Sequence, residues 1–341
     1  MYLINPGKKQ FKANLHCHSI HSDGKLTPEA LKAAYKEHGY SVLCITDHEA
    51  TNDFTHMTEE DFLMLTGYEA YIRPSYTFSP YTAEVHLNLI ARDPHNLGIV
   101  YFAPRSSRYL SEEQKESVVK YGPLVEREYT AEFVNSFIRC AKENGYLVTY
   151  NHPVWSMESH ERILSYDGFF SIEICNWSSM NTCGRLEYNL DLYHRLLRSG
   201  KRVFAHSTDD NHNKNPFDHP RCDSFGGFTM VLADRLDYDT VFSALENGNM
   251  YSSMGPVFHE ISFDGEQVHV SCSDVVQISC FCGSKSAIFE RAPEGETINK
   301  ASLTINPNAR FVQISVTDRN GKHADTRGYF RDELGLPPLE I

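Results

Sequence analysis

The sequence predicts an α/β protein: a closed or nearly closed βα barrel of seven strands, followed by a small all-β domain. Three observations predict it. A pattern of helix, glycine, apolar strand and polar cluster is written three times along the first two thirds of the chain. The chain has 341 residues, and a single hydrophobic core rarely grows past about 250–300 residues, so a second unit is expected. After Met254-Gly255-Pro256 helical spacing disappears and alternating β-rich runs replace it. We place the units at residues 1–255 and 256–341.

The elements follow in order. Phe11–His18 reads as the first strand. Thr27 is an N-cap with Pro28 at the first helical position. Leu31, Ala34, Tyr35 and His38 keep helical spacing, and Gly39 ends the helix. The apolar run Ser41–Thr46 then leads into Asp47-His48. Phe62–Glu69 and Glu84–Ile90 are further strands. Residues 92–127 are polar, with Arg105, Arg108, Tyr109 and Tyr121, and read as a long loop with some helix overhanging the strand ends. A helix over Glu132–Asn144 stops at Gly145, and Tyr146–Tyr150 runs into Asn151-His152-Pro153. Phe170–Cys175 is the sixth strand. A helix over Leu186–Ser199 stops at Gly200, and Lys201–Ala205 runs into His206, Asp209, Asp210 and His212. Such runs suit buried parallel strands, and chemistry just past their C-terminal ends is where barrels of this class keep their sites. In the last unit Asp264-Gly265 is a hairpin turn between Glu260–Phe263 and Val268–Cys272, with Val275–Cys282 and Phe311–Thr317 as later strands. His259, His269 and His323 are scattered there without carboxylate partners.

Composition narrows the function. Lys and Arg total 32 against 45 Asp and Glu, a net charge of −13. An acidic surface repels a nucleic-acid backbone, so nucleic acid is not the expected partner. No apolar run approaches the ~20 residues that span a bilayer, so no membrane partner is expected. The opening segment lacks the apolar centre of a secretory signal. Nine cysteines, an odd number without a CxxC pair, read as reduced thiols of a cytoplasmic protein. The oligomeric state is left open.

Histidine is over-represented, with 17 residues, and their placement decides what they do. In His16-Cys17-His18 a period of two puts both imidazoles on one face of the strand. Asp23 follows in a turn, Ser22-Asp23-Gly24. His48, His152, Asp210 and His212 arrive at the ends of later strands, and Glu69 and His86 lie on the two strands between. Six imidazoles and three carboxylates suit Zn, Mn or Fe at a hydrolytic centre. His21 is the local competitor for ligand duty in the first cluster.

The series His16-Cys-His18-Ser-Ile-His-Ser-Asp23-Gly, Ile45-Thr-Asp-His48, Gly67-Tyr-Glu69, Asn151-His152-Pro and Asp209-Asp210-Asn-His212 resembles the motifs of the polymerase-and-histidinol-phosphatase (PHP) superfamily. Gly248–Pro256 is similar to a segment of a branch with a small C-terminal β domain. The resemblance implies a distorted seven-stranded βα barrel and a metallohydrolase that cleaves phosphoesters with up to three metal ions. It implies His16, His18, Glu69 and Asp210 around the first ion, and Asp23, His48 and a bridging Glu69 around the second. His86, His152 and His212 would hold the third, with Glu69, Asp210 and His48 as the catalytic side chains. His86 is the loosest match.

Three divalent ions would bring about +6 against about −3 from the carboxylates. A pocket so charged favours an anionic, oxygen-rich group, and two ions sharing a water would make hydroxide at neutral pH. The expected function is therefore a phosphoesterase acting on a small phosphorylated substrate, a nucleotide or sugar phosphate. The alternatives are a carbamate or carboxylic ester hydrolase on the same centre, a single-strand nuclease using residues 92–127 as a groove, and a metal-binding regulatory protein without turnover. Arg73, Arg105, Arg108, Arg185 and Arg221 are candidate phosphate clamps. Asp47, Asp209, Glu173 and His206 are candidates for orienting the ligands or lining the pocket. His160 and His194 are expected on the surface.

Overall fold

A computed structural model describes residues 1–75 and 78–339. Glu340 and Ile341, the end of the expected β domain, lie outside the described residues. Seven strands overlap the runs the sequence places: β1 (Lys9–Asn14), β2 (Val42–Ile45), β3 (Leu63–Ile72), β4 (Val85–Ala91), β5 (Tyr146–Tyr150), β6 (Ser171–Asn176) and β7 (Phe204–Thr208), but β1 ends before His16, and β7 lies three residues later than expected and takes His206 inside the strand. They stand in chain order across one large sheet. β1, β2 and β3 are parallel, as are β5, β6 and β7. β4 runs against both of its neighbours, which corrects the expectation of parallel strands throughout. Parallel pairing needs a crossover, usually a helix, and the described part of the β3–β4 connection contains none.

Two strands beyond the expected seven flank β1. β8 (Phe228–Ala233) pairs antiparallel with it, and β9 (Met250–Ser253) follows β8. The sheet curls, and β7 returns beside β8 and β9: Thr229 donates its hydroxyl to the Ser207 carbonyl at 2.9 Å, and the Ser207 and Ser252 hydroxyls meet. The backbone ladder does not join β7 to β8. The observed architecture is thus mixed α/β on a large curled sheet.

The helices cover the sheet. Pro28–Glu37, Ala131–Glu143 and Leu190–Arg198 match the three expected, the last starting later than its sequence pattern. The delay follows from residues 185–189, where the buried Glu187 caps another segment instead. Thr27 and Thr130 accept from the backbone N–H of Ala30 and Phe133. Gly39, Gly145 and Gly200 end these helices at φ of 76°, 81° and 86°, which only glycine adopts without strain. A fourth helix, Tyr238–Glu246, joins β8 to β9 behind an Asp237 cap.

Residues 92–127 hold a paired Ile99–Val100 and Lys120–Tyr121 and a helix, Glu112–Ser117, with a Ser111/Gln114 capping box. The end of this segment is clamped to the sheet. Arg127 is buried and forks onto both carboxylate oxygens of Glu49, and donates to the carbonyls of Tyr71, Val100 and Tyr101.

From residue 256 onward every described element is a strand. Phe258–Phe263, Gln267–Val275 and Ile298–Thr304 form a sheet with the N-terminal Tyr2–Ile4. Gln277–Phe281, Ile288–Arg291, Phe311–Thr317 and His323–Thr326 extend the large sheet from β9. Val268, Val270 and Leu303 pack with Ile278, Ile314 and Val316 in one core. The Asp264-Gly265 turn closes its hairpin as expected. Two histidine readings are corrected. His269 does have a carboxylate partner, Asp264, at 3.1 Å. His194 is buried against the β-rich region and pairs with Gln313 at 3.0 Å, because the strand Phe311–Thr317 covers its helix. Among the described residues no helix is long and apolar enough to cross a membrane.

Candidate metal centre

The chain leaves β1 still extended, and the segment 16–18 zips against 210–211. Asp210 N–H donates to the His16 carbonyl and His18 N–H to that of Asn211, both at 3.0 Å. Cys17 therefore turns into the core while His16 and His18 face the opposite way, with their Nε2 atoms 3.2 Å apart. Asp210 Oδ1 lies 3.1 and 3.0 Å from those two nitrogens, and Glu69 Oε2 lies 3.3 Å from each. These four buried residues offer ligand atoms within 4.8 Å of one another, the set the resemblance implies for a first ion.

Glu69 is the hub. Its Oε2 is 3.0 Å from His48 Nδ1, and its Oε1 is 2.9 Å from His86 Nδ1 and 3.4 Å from His152 Nε2. Asp23 Oδ1 lies 3.4 Å from His212 Nε2, 3.8 Å from His48 Nε2 and 3.9 Å from His18 Nδ1. The structure so brings all nine sequence candidates to one place. It divides them differently from the resemblance: His18, Asp23, His48 and His212 form one group and His48, Glu69 and His86 another. His212 stacks on His18 at 4.3 Å, which turns it toward Asp23 and away from His86 and His152. His152 reaches Glu69 and, at 4.0 Å, Asp210. His21 lies to the side against Phe54.

A ring of polar side chains orients these ligands. Glu173 receives His16 Nδ1 at 2.7 Å and the His152 backbone N–H at 2.8 Å. Asn151 donates to Glu69 at 2.9 Å, and Asn176 to Asp210 at 3.2 Å. Asp47 does not touch His48. It accepts from Ser19 and Ser22 and so shapes the turn that carries Asp23. Asp209 accepts from Tyr35 and from the N–H groups of residues 225–227. His206 is buried in the core beside Glu173, outside the cage. His152 and Asp210 hold left-handed backbone, at φ of 26° and 52°. Strain of this kind persists where neighbours over-determine the conformation, here Glu173 and the His16 carbonyl.

The electrostatics follow from three carboxylates facing six imidazoles out of water. Burial pushes Glu69 up, but the charges of His16, His86 and His48 outweigh it and hold its pKa well below the usual range. Asp23 and Asp210 are likewise depressed by the surrounding histidines despite burial. Burial pulls His18 and His86 down, yet Asp210 and Glu69 raise His18 to about 10, and Glu69 and Glu84 raise His86 to about 9. The three carboxylates thus favour positive charge within the cage.

It opens onto a cavity of about 560 Å³, whose wall also carries Arg73, Arg108, Lys214 and Arg221. Of the remaining candidate clamps, Arg185 lines an adjoining cavity, and Arg105 lies on the surface 3.8 Å from Glu126. Sequence reading missed Glu84, Asn151, Trp155, Asn176 and Glu187 as site residues. Glu84 carried a signal, since it stands two before His86, just ahead of β4, where an extended chain puts i and i+2 on one face.

The family model of the PHP domain matches residues 14–153. The match spans 140 of the chain's 341 residues. The matched span holds His16, His18, Asp23, His48, Glu69, His86 and His152, and Asp210 and His212 lie beyond it. Three solved structures are similar to the chain. One is a two-domain protein of Bacteroides vulgatus ATCC 8482 containing a predicted PHP-like metal-dependent phosphoesterase. It is 14% identical, with a TM-score of 0.44 and 93% of each chain covered. Another, from Bifidobacterium adolescentis ATCC 15703, bears the name of a candidate metal-dependent phosphoesterase. It is 17% identical, with a TM-score of 0.39 and coverage of 61% of this chain and 90% of that one. The third is an amidohydrolase of Chromobacterium violaceum with bound sulfate and no metal. It is 18% identical, with a TM-score of 0.39 and coverage of 59% and 87%. No curated protein matches the chain.

Proposed function

We propose that the protein is a metal-dependent hydrolase that cleaves a phosphoester of a small anionic substrate, a nucleotide or a sugar phosphate. The observation that carries this reading is the PHP-domain cage around Glu69. Asp23 Oδ1, His48 Nδ1, Glu69 Oε2 and His86 Nε2 are buried in it and make no hydrogen bond among the described residues. Buried polar atoms rarely go unpaired, and imidazole with carboxylate is the donor set of Mn, Zn and Fe. The residues fit two or three such ions.

Bound there, divalent ions supply Lewis acidity and lower the pKa of water. The chain's own residues do the rest. Glu173 fixes the ring of His16, and Asn151 fixes Glu69. Arg108, Lys214 and Arg221 place positive charge around the cavity for phosphoryl oxygens. In the reaction a water oxygen bonds to phosphorus, the ester P–O bond breaks, and the water's proton ends on the leaving oxygen. The reading includes two units, 1–255 and 256–341, and a cytoplasmic setting, supported by nine cysteines that stand as thiols.

Elemental analysis of the purified protein, with a panel of phosphomonoesters, neutral carboxylic esters and single-stranded oligonucleotides, tests it. Bound transition metal and turnover of small phosphomonoesters are expected. Turnover of neutral esters alone would overturn the reading.

A further inference from the structure

The metal cavity does not end at the metal ligands. A second cavity of about 320 Å³ adjoins it, and the two share Phe78, Glu84, Trp155 and Cys183 as walls. The character of the wall changes across this boundary. On the inner side stand carboxylates, imidazoles and guanidinium groups. On the outer side Pro80 and Met157 join the shared Phe78 and Trp155 in one apolar face, beside the polar Ser79, Thr82, Glu84 and Arg185. Phe78 is 52% exposed and Met157 41%. Scattered exposed apolar residues are ordinary, but a cluster continuous with a polar site marks binding.

The outer wall is also built, not loose. Trp155 packs its ring against His152 at 4.8 Å and His86 at 5.1 Å. Its backbone is fixed by the buried Glu187, which accepts the N–H groups of Val154 at 2.7 Å and Trp155 at 2.8 Å. Arg73 stands at the seam. Its guanidinium lies 3.8 Å over the Tyr71 ring, 2.8 Å from Glu84 and 5.8 Å from the Phe78 ring.

We propose that this outer cavity is the subsite for the leaving group, and that the leaving group carries a planar aromatic ring stacked against Phe78, Trp155 and Met157. The proposal rests on the phosphoesterase reading and deepens it. The inner cavity, cationic once metal is bound, takes the phosphoryl group, and the aromatic face of the annex takes the ring. Aromatic and thioether side chains hold a flat π-face at little entropic cost, and the guanidinium at the seam adds a cation–π contact. A nucleobase and a simple aryl ring share this chemistry, and the experiment separates them.

The test uses the full metal-loaded chain and has two arms. In the kinetic arm, phenyl phosphate and adenosine 5′-monophosphate are compared with glycerol 1-phosphate. The ring-bearing esters should show kcat/KM about tenfold or more above the aliphatic one. Phe78→Ala should raise their KM about tenfold and so erase their preference over the glycerol ester. Preference for adenosine 5′-monophosphate over phenyl phosphate assigns a nucleobase, and the reverse assigns an aryl ring. The binding arm needs no turnover. The chain has two tryptophans, so Trp177→Phe leaves Trp155 as the sole emitter. Adenosine and phenol should each be tried as quenchers, and Phe78→Ala should abolish the quench seen. Quenching without cleavage of any phosphoester would sink the phosphoesterase reading and keep the ring subsite. Cleavage with no ring preference, or with no quench, would overturn the subsite.

Discussion

At the scale of single residues, Glu69 is the atom pair that several groups share. Removing its charge while keeping its shape, Glu69→Gln, should lower kcat/KM at least about 10³-fold and reduce the metal bound per chain by elemental analysis. Retention of full activity and full metal content would refute its bridging place. The raised pKa values of His18, about 10, and His86, about 9, give a second expectation. The metal-free cage carries protons at neutral pH, and ions must displace them. Metal uptake should therefore release at least one proton per chain and weaken as pH falls. Titration calorimetry in buffers of different ionisation enthalpy reads this directly, and buffer-independent heats would refute it. Most of the nine candidate ligands were legible in the sequence because they sit on or just past apolar strands, and because i, i+2 spacing on an extended chain has one geometric meaning. Glu173 was legible for a related reason: a carboxylate inside an apolar strand needs a partner. Trp155 and Glu187 were not. Their roles depend on the turn after β5 meeting the segment after β6, a contact between residues about 30 apart that no local pattern encodes.

At the scale of elements, the 92–127 segment shows both what patterns reveal and what they hide. Its polarity marked it as a loop with some helix, and the Ser111–Gln114 capping box bears that out. Its attachment was invisible, because nothing in the sequence links Arg127 to Glu49. That pair is buried, with Arg127 donating also to three carbonyls. Breaking a buried ion pair leaves an uncompensated charge and costs about 3–5 kcal/mol. Arg127→Met should lose about that much in denaturant unfolding and should expose residues 92–127 to proteolysis. Glu49 adjoins His48, so the variant should also bind metal less tightly. Unchanged protease resistance would show that the clamp does not hold the segment. The strand directions followed a similar rule. β4 was recognised as a strand, but its antiparallel sense depends on a connection too short in regular structure to cross the sheet. β8 and its following helix were missed although Phe228–Ala233 is apolar, because no helix precedes it and the polar run after it, Asp234-Arg235-Leu236-Asp237, holds no histidine.

At the scale of the whole molecule, the β-rich region is bound to the α/β part through buried polar contacts as well as through the shared sheet. Tyr188, beyond β6, donates its hydroxyl to Asp325 at 3.0 and 3.1 Å, and its ring stacks on His323 at 4.3 Å. Asp325 is fully buried with no cationic partner among its hydrogen bonds, and burial raises its pKa from 3.8 to about 6. The sign of the pH effect follows. Between about pH 4 and 6 the folded protein holds a proton on Asp325 that the unfolded chain has lost, so stability falls as pH rises through this window. Above pH 6 both states are ionised, and the full cost of the buried charge remains. A shift of this size corresponds to about 3 kcal/mol. Asp325→Asn removes the charge and weakens one hydrogen bond to Tyr188, so it should stabilise the protein by about 1–3 kcal/mol at pH 7 and by nothing at pH 4. Asp209, raised to about 6 by its own burial, contributes a similar slope that the variant retains. The difference between parent and variant isolates Asp325. Denaturant midpoints compared at pH 4 and pH 7 measure it, and a difference that does not change with pH would show that this junction carries no buried charge.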